Sequence, residues 1–575
     1  MPTSWYQAVP LILDRVIMEN PKTILDIGVG FGKYGFLIRE ALDIPFNRYT
    51  KDSWETTIDG VEAFITYQNP VHEYVYNHIF YQPIDKCLPS LGKYDVITMI
   101  DVLEHFTKDE GRELLKQLLL HTNKALIIST PIIPANQKEY LGNAYEEHKS
   151  RWKVTDFKDF DMDFSLLKID DNQALIVKMY PIDELNCIDS DLKSRDQQLI
   201  DFVRPQKSMK RARHGGVSST PNEPEKLHVA YVLPHKKLTG GLKMLIEQIR
   251  WLKKKGHTVD VYQKDQADNQ TALPNWANIK VDRNVVIPPG VKSNEYIKDC
   301  DVVVSGWFEQ IPELVTCNSP VMYWEQGYEG LFGDINNYQQ SHATRKLLKD
   351  VYSTPVYLTS VSNSIAEIML ARYGRRTMVI PNGIDTTLFY PSKHPFNNTI
   401  LLVGNPALSF KDFSTALRSL ENAWRMGDRF KVQWVCQVQP LVSRLSFPLQ
   451  IIVNPPQEQL PILYRNADIF LSTSVYEGFG MPLLEAMASG LPTICTDCGG
   501  VNMYVDSGKN SIMADPGDVL SISNSLHYLL TNEAARIDLG ENARNTALKF
   551  SLDHSLSTLE DLLFRIKYLS QADEK

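Results

Sequence analysis

The sequence predicts an α/β protein of three units, each an open parallel sheet with helices on its faces. Three observations predict it. Short apolar strands recur, each followed by a glycine-bearing loop and then a helical pattern, the alternation that builds parallel sheets. The alternation breaks once, between about residues 190 and 225, and then resumes twice. The length of 575 residues, 43% of them hydrophobic, holds three or four domains at ~150 residues each. The expected division is a first unit over 1–190, a linker over 191–225, a second unit over 226–393, a third over 394–550, and a C-terminal helix over 551–575.

In the first unit, Thr23–Ile27 reads as a buried strand, and a helix starts near Tyr34. Further strands are expected at Thr57–Val61, Tyr94–Met99 and Ala125–Ser129, with a helix over Glu110–Leu120. The loop after the first strand is Asp26-Ile-Gly28-Val-Gly30-Phe-Gly32. Its glycines let the backbone turn tightly and come close to a ligand. Asp26 stands at the carboxyl end of the strand, where open α/β sheets bind ligands. The linker contains the basic run Lys207–Arg213 and then Gly, Ser, Thr, Asn and Pro, a flexible composition.

The second unit opens with Leu227–Leu233. Gly240-Gly241 precedes a helix whose Leu242, Leu245, Ile246, Ile249 and Leu252 form one apolar stripe. Tyr323-Trp-Glu-Gln-Gly-Tyr-Glu329 is an aromatic and acidic cluster, suited either to sugar rings or to packing. The third unit opens with Thr399–Val403, and Lys411 follows in its first loop. Ala467–Thr473 reads as a strand, Glu477-Gly-Phe-Gly480 as the loop after it, and Pro482 and Gly490 as the start and stop signals of a helix. Glu477 and Glu485 then flank a helix N-terminus, whose free N–H groups suit an anion.

Two family resemblances rest on these residues. The Glu477-Gly-Phe-Gly loop, Pro482, the Glu485-Ala-Met helix and the Gly490-Leu-Pro exit resemble the E-x7-E motif of retaining family 4 glycosyltransferases of the GT-B fold. Gly240-Gly241, Val379-Ile-Pro-Asn382, Lys411 and Gly499-Gly500 resemble further segments of that family. The spacing Asp26-x-Gly28-x-Gly30-x-Gly32, with Asp101-Val-Leu-Glu-His105 and Ile128-Ser-Thr-Pro131, resembles class I S-adenosylmethionine-dependent methyltransferases. Together they imply three Rossmann-like units: one methyltransferase domain and a two-domain GT-B glycosyltransferase, whose last helix, 551–575, would cross back to the second unit.

The resemblances imply roles. Asp26, Gly28, Gly30, Gly32, Glu62, Asp85 and Asp101 would bind S-adenosylmethionine, with Glu62 on the ribose hydroxyls and Asp85 near the adenine. His148 is a candidate general base toward a hydroxyl, and His105 a second. Gly240, Gly241, Asn405, Lys411, Glu477, Gly478, Phe479, Gly480, Met481 and Glu485 would bind a nucleotide sugar, UDP-, GDP- or dTDP-linked. Lys411 would stabilise the leaving diphosphate and Glu477 would hold the sugar or its phosphate surroundings. Asn405 stands where that family often has an arginine, Asp412 where it has a glycine, and no acid follows Gly499-Gly500. No metal site is expected, and Asp161-Met-Asp163 reads as polar surface.

The function implied is a bifunctional transferase. It would methylate with S-adenosylmethionine and move a sugar to a hydroxyl of a glycan, glycoconjugate or small molecule, as in surface polysaccharide synthesis. The alternatives are a glycosyltransferase whose first unit only binds or scaffolds, and a tailoring enzyme for a small molecule or modified nucleic acid. The net charge of −9 argues against a general nucleic-acid binder. Charges interrupt every apolar run before membrane-span length, so peripheral membrane contact is the form left open. Seven cysteines form no disulfide framework and the N-terminus has no signal-peptide pattern, which implies the cytoplasm. Oligomeric state has no signal in the sequence.

Overall fold

The computed structural model describes residues 5–139, 142–169, 172–181, 190–201, 225–237, 239–265, 271–328 and 338–573. The basic run Lys207–Arg213 and Glu329 lie outside the described residues.

The first sheet contains β1 (Thr23–Ile27), β2 (Thr57–Val61), β3 (His78–Phe80), β4 (Tyr94–Ile100), β5 (Thr122–Pro131), β6 (Met162–Ile169) and β7 (Asn172–Met179). Their order is β3-β2-β1-β4-β5-β7-β6. All neighbours are parallel except β7, which runs antiparallel to both β5 and β6. Alternate residues of β1 feed opposite faces: Ile24 enters one apolar cluster, Leu25 and Ile27 another. A strand with helices on both sides must be apolar at successive positions, and this one is.

The second sheet holds β8 (His228–Leu233), β9 (Thr258–Lys264), β10 (Arg283–Ile287), β11 (Val302–Ser305), β12 (Val321–Glu325), β13 (Tyr357–Ser360) and β14 (Met378–Val379), in the order β10-β9-β8-β11-β12-β13-β14. The third holds β15 (Thr399–Val403), β16 (Lys431–Cys436), β17 (Leu449–Val453), β18 (Ile469–Leu471), β19 (Thr493–Thr496) and β20 (Ile512–Ala514), in the order β17-β16-β15-β18-β19-β20. Both are parallel throughout. In each, the sheet order reverses beside the first strand, which opens a crevice at the strands' carboxyl ends. The helix Gly240–Lys254 buries the stripe expected of it: Leu242, Leu245, Ile246, Ile249 and Leu252.

Two expectations need correction. Residues 191–201 of the expected linker belong to a helix, Ser190–Asp201. It is anchored because buried Asp196 takes two hydrogen bonds from the Arg375 guanidinium, at 2.8 and 2.9 Å. Asp161-Met-Asp163 is not a free polar surface. Asp161 pairs with Arg345 of the second unit, and Asp163 accepts from Tyr180 Oη at 2.6 Å.

The three sheets share one core. A single apolar cluster takes Leu25 and Leu126 from the first, Val229 and Met322 from the second, and Leu401 and Phe470 from the third. The final helix, Leu552–Asp573, packs Leu559, Leu562, Leu563 and Ile566 into that cluster. Its Glu560 accepts from Trp251 Nε1 at 2.8 Å and meets His257 Nε2 at 3.0 Å, both on the second unit. Among the described residues, no helix is long and apolar enough to cross a membrane.

Candidate functional sites

The first site is a cavity of about 900 Å³ at the carboxyl ends of β1, β2 and β4. Gly28, Gly30 and Gly32 all hold positive φ, +78°, +54° and +86°, a region that L-residues with a Cβ avoid. This turn lays the backbone of Gly28 and Gly30 along the cavity wall. Glu62, at the end of β2, fastens it: its carboxylate accepts Gly30 N–H and Phe64 N–H, each at 2.9 Å. An ionised carboxylate has about four acceptor positions, so two remain for hydroxyl donors. Burial raises the Glu62 pKa above its ordinary value.

The other expected residues divide. Asp85 and Asp101 line the cavity. Asp101 sits at φ +52° and accepts from Ser129 Oγ at 2.8 Å, and burial raises its pKa. Asp26 does not line the cavity. Its two oxygens are taken by Tyr76 Oη at 2.6 Å and Thr98 Oγ1 at 2.7 Å, beneath the sheet end. Gly32 likewise caps the helix Lys33–Leu42 from outside the cavity lining.

His148 and His105 both reach the cavity, with ring centroids 5.0 Å apart. Between them stands buried Glu104, whose Oε2 accepts from Thr130 Oγ1 at 3.1 Å. Burial, and then the nearby Asp101, holds the Glu104 carboxyl well above the usual range. The expectation of no metal-ligating group meets a cluster here. One ligating atom each from Glu104, His105 and His148 lies within 4.8 Å of the others. Sequence spacing hides it, because His148 arrives on a loop after the next strand.

The second site lies where the second and third sheets meet. Glu477 follows the strand β18 in a loop zipped to the next one: its N–H donates to Cys498 O at 2.9 Å, and Gly500 N–H donates back to Glu477 O at 3.0 Å. The Glu477 carboxylate accepts from Lys411 Nζ at 2.5 Å and Ser474 Oγ at 2.7 Å. Both partners of the ion pair are largely shielded, 15% and 12% exposed. Gly480 caps the helix Met481–Ala488 at φ +87°. Glu485 therefore falls in the second turn of that helix. It accepts from Tyr464 Oη at 3.0 Å, and Lys243 Nζ approaches it at 3.5 Å from the second unit.

Gly240 and Gly241 come opposite this pair through Gln326. Its side chain donates to Gly241 O at 3.2 Å. Its backbone passes so close to Gly478 that a Cβ there would overlap the Gln326 carbonyl oxygen. Only glycine fits at 478. The other expected contacts differ in exposure. Phe479 is 2% exposed and packs against Tyr504 and Phe550. Asn405 spends its side-chain oxygen on Ala407 N–H at 3.0 Å, closing its own turn. Met481 is half-buried at the helix start.

For the aromatic cluster the structure takes the packing alternative. Tyr323, Trp324 and Tyr328 are buried, so they offer no face to a sugar. Glu325 accepts from Tyr352 Oη and from Gly327 N–H. Three site residues had no signal strong enough to single them out: Lys243, Ser474 and Gln326. Lys243 had a faint one, a cation just after two glycines at a helix start.

Residues 447–546 match the family model described as "Glycosyl transferases group 1". The match contains Glu477 and Glu485 but not Lys411. A D-inositol 3-phosphate glycosyltransferase of Corynebacterium jeikeium is 38% identical over 118 residues, 20% of this chain and 28% of that protein. An MMP alpha-(1->4)-mannosyltransferase of Mycolicibacterium hassiacum is 28% identical over 208 residues, 34% of this chain and 50% of that protein. The chain thus spans half or less of these relatives' own length. The structure of a sucrose-phosphate synthase from Thermosynechococcus elongatus aligns over 59% of this chain and 99% of its own, at 17% identity and a TM-score of 0.49. The C-terminal unit of this chain carries a group 1 glycosyltransferase domain.

Proposed function

We propose that the chain is a transferase with two sites: a GT-B glycosyltransferase in its second and third units and an S-adenosylmethionine-dependent methyltransferase in its first. The glycosyltransferase reading is carried by one observation. The Lys411–Glu477 pair stands before a helix N-terminus, with Glu485 behind it and Gly241 and Lys243 of the second unit across Gln326. That arrangement suits a nucleotide sugar. Lys411 is the cation for the diphosphate, held by Glu477 until the ligand arrives. Glu485, fixed by Tyr464, is the acceptor for ribose hydroxyls. The similar proteins from Corynebacterium and Mycolicibacterium are themselves named for sugar transfer, which supports sugar transfer here. The acceptor is a hydroxyl of a glycan or glycoconjugate.

The test is nucleotide release from UDP-, GDP- and dTDP-sugars by the full chain. One base is expected to stand out, and Glu485→Ala is expected to weaken its binding by about tenfold to a hundredfold, the loss of one charged hydrogen bond. No release and no binding with any of the three would overturn the reading.

The methyltransferase reading rests on the first cavity. The sheet order with an antiparallel seventh strand fits the class I fold. The residues present fit the cofactor: a glycine turn on the wall, Glu62 with free acceptor positions, and Asp85 beside the cavity. When bound, S-adenosylmethionine supplies an electrophilic methyl group. Glu62 would hold the ribose and Asp85 the adenine, while Gly28 and Gly30 lie against the methionine part. His148 is held to Ala135 O through Nδ1 at 2.7 Å, which fixes its ring toward the cavity. Titration of the full chain with S-adenosylmethionine is expected to show one site that Glu62→Ala weakens. Absence of binding would reduce the first unit to a scaffold.

A further inference from the structure

Glu104, His105 and His148 are held as a set by the backbone around them. Glu104 O accepts Lys149 N–H at 2.8 Å and Ser150 N–H at 3.1 Å, so the loop bearing His148 is pinned to the residue beside it. His105 Nδ1 meets Glu147 O at 3.1 Å, and His148 Nδ1 meets Ala135 O at 2.7 Å. A carbonyl oxygen only accepts, so Nδ1 carries the proton in both rings. The lone pair is then on Nε2 in both, and it is the atom left for a ligand. Metal-binding histidines are oriented this way, with the other ring nitrogen donating to a carbonyl. The Glu104 carboxylate is oriented in turn by Thr130. All three residues line the cavity proposed for methyl transfer.

We propose that Glu104, His105 and His148 bind a divalent transition-metal cation, and that its remaining positions take two neighbouring oxygens of the methyl acceptor, a vicinal diol. Two imidazoles and one carboxylate suit Mn²⁺, Fe²⁺ or Zn²⁺ better than Ca²⁺, which prefers all-oxygen ligands. Three protein ligands on one side leave up to three positions of an octahedral ion. A sugar-like diol fills two of them and is held in a fixed orientation against the site of the methyl group. The cation also makes a bound hydroxyl more acidic, as it does for water. The metal site stands on the geometry alone, whereas the diol's role as methyl acceptor rests on the methyltransferase reading.

The experiment titrates the full chain, stripped with a chelator, with Mn²⁺ and Zn²⁺ by calorimetry, and with Co²⁺ by its visible absorption. One saturable site per chain is expected, with a Co²⁺ spectrum that shifts on adding catechol, a rigid vicinal diol. Glu104→Gln and His148→Ala are expected to lower affinity by about 100-fold or more, since even residues one step removed from a metal cost 10- to 100-fold. Circular dichroism of both variants checks that they fold. No saturable binding, or binding unchanged in both variants, overturns the site. Binding without a catechol shift overturns the diol. Titration of the same samples with S-adenosylmethionine separates the two ideas: cofactor binding without metal sinks only this inference, and metal binding without cofactor sinks only the methyltransferase reading.

Discussion

Lys411 and Asp26 show how residues with similar expectations part once their neighbours are known. Lys411 meets one carboxylate, that of Glu477, in a largely shielded position. Its removal takes away the cation that meets the Glu477 carboxylate. Lys411→Ala is expected to lower turnover by roughly tenfold to a hundredfold with a smaller change in donor binding, measured as nucleotide release against calorimetric affinity. A loss confined to affinity would place Lys411 outside the reacting centre. Asp26 is legible in the sequence as a ligand residue, and in the structure its carboxyl accepts from Tyr76 and Thr98. Burial raises its pKa in the folded chain. A raised folded pKa favours the neutral form, so its stabilising contribution is full below the unfolded value. That contribution is lost as pH rises through the folded value. Measured by urea unfolding, wild type should lose stability relative to Asp26→Asn as pH climbs above about 4, by at most about 1.4 kcal/mol per unit, and then level off. A difference that is flat from the start would mean that Asp26 is charged throughout.

Among elements, those with a local signal were readable. β1, β2 and β15 fall at the expected residues, because buried parallel strands are short apolar runs closed by glycine loops. β6 and β7 escaped, since Met162–Ile169 and Asn172–Met179 mix polar and apolar residues and pair with each other rather than follow a helix. Ser190–Asp201 escaped for a different reason. Its charge looks like a linker until Asp196 finds Arg375, far away in sequence. In the candidate sites, the glycine turn and Glu477 had motif signals, but Lys243 and the Glu104–His105–His148 set depend on folding to meet. The last helix combines both kinds. Its leucine spacing is local, while its anchor is distant. Glu560→Ala would leave Trp251 Nε1 and buried His257 without their shared acceptor. The expected cost is about 1–3 kcal/mol in urea unfolding, and a change below a few tenths would show that apolar packing alone holds the helix.

At the scale of the whole molecule, the first unit is tied to the second and third units by charge as well as by core. Lys153 pairs with Asp497 and lies 3.6 Å from Asp515, Arg151 reaches Asp518 at 3.5 Å, and Lys158 meets Glu367. Burial alone would lower the Lys153 pKa, but Asp497 and Asp515 outweigh it and hold it above the ordinary value. This joint is close to the second site. Asp497 directly precedes Cys498, whose carbonyl holds the Glu477 N–H, and Gly499 would meet Thr155 of the first unit if it carried a Cβ. One loop therefore touches both the second candidate site and the first unit. Lys153→Glu turns attraction into repulsion in a shielded position, at an expected cost on the order of 3 kcal/mol. Calorimetry should then show the first unit melting earlier and apart from the rest. Nucleotide release should fall several-fold although no donor-binding residue has changed. An unshifted single transition with full activity would mean that the contact joins the units without coupling their sites.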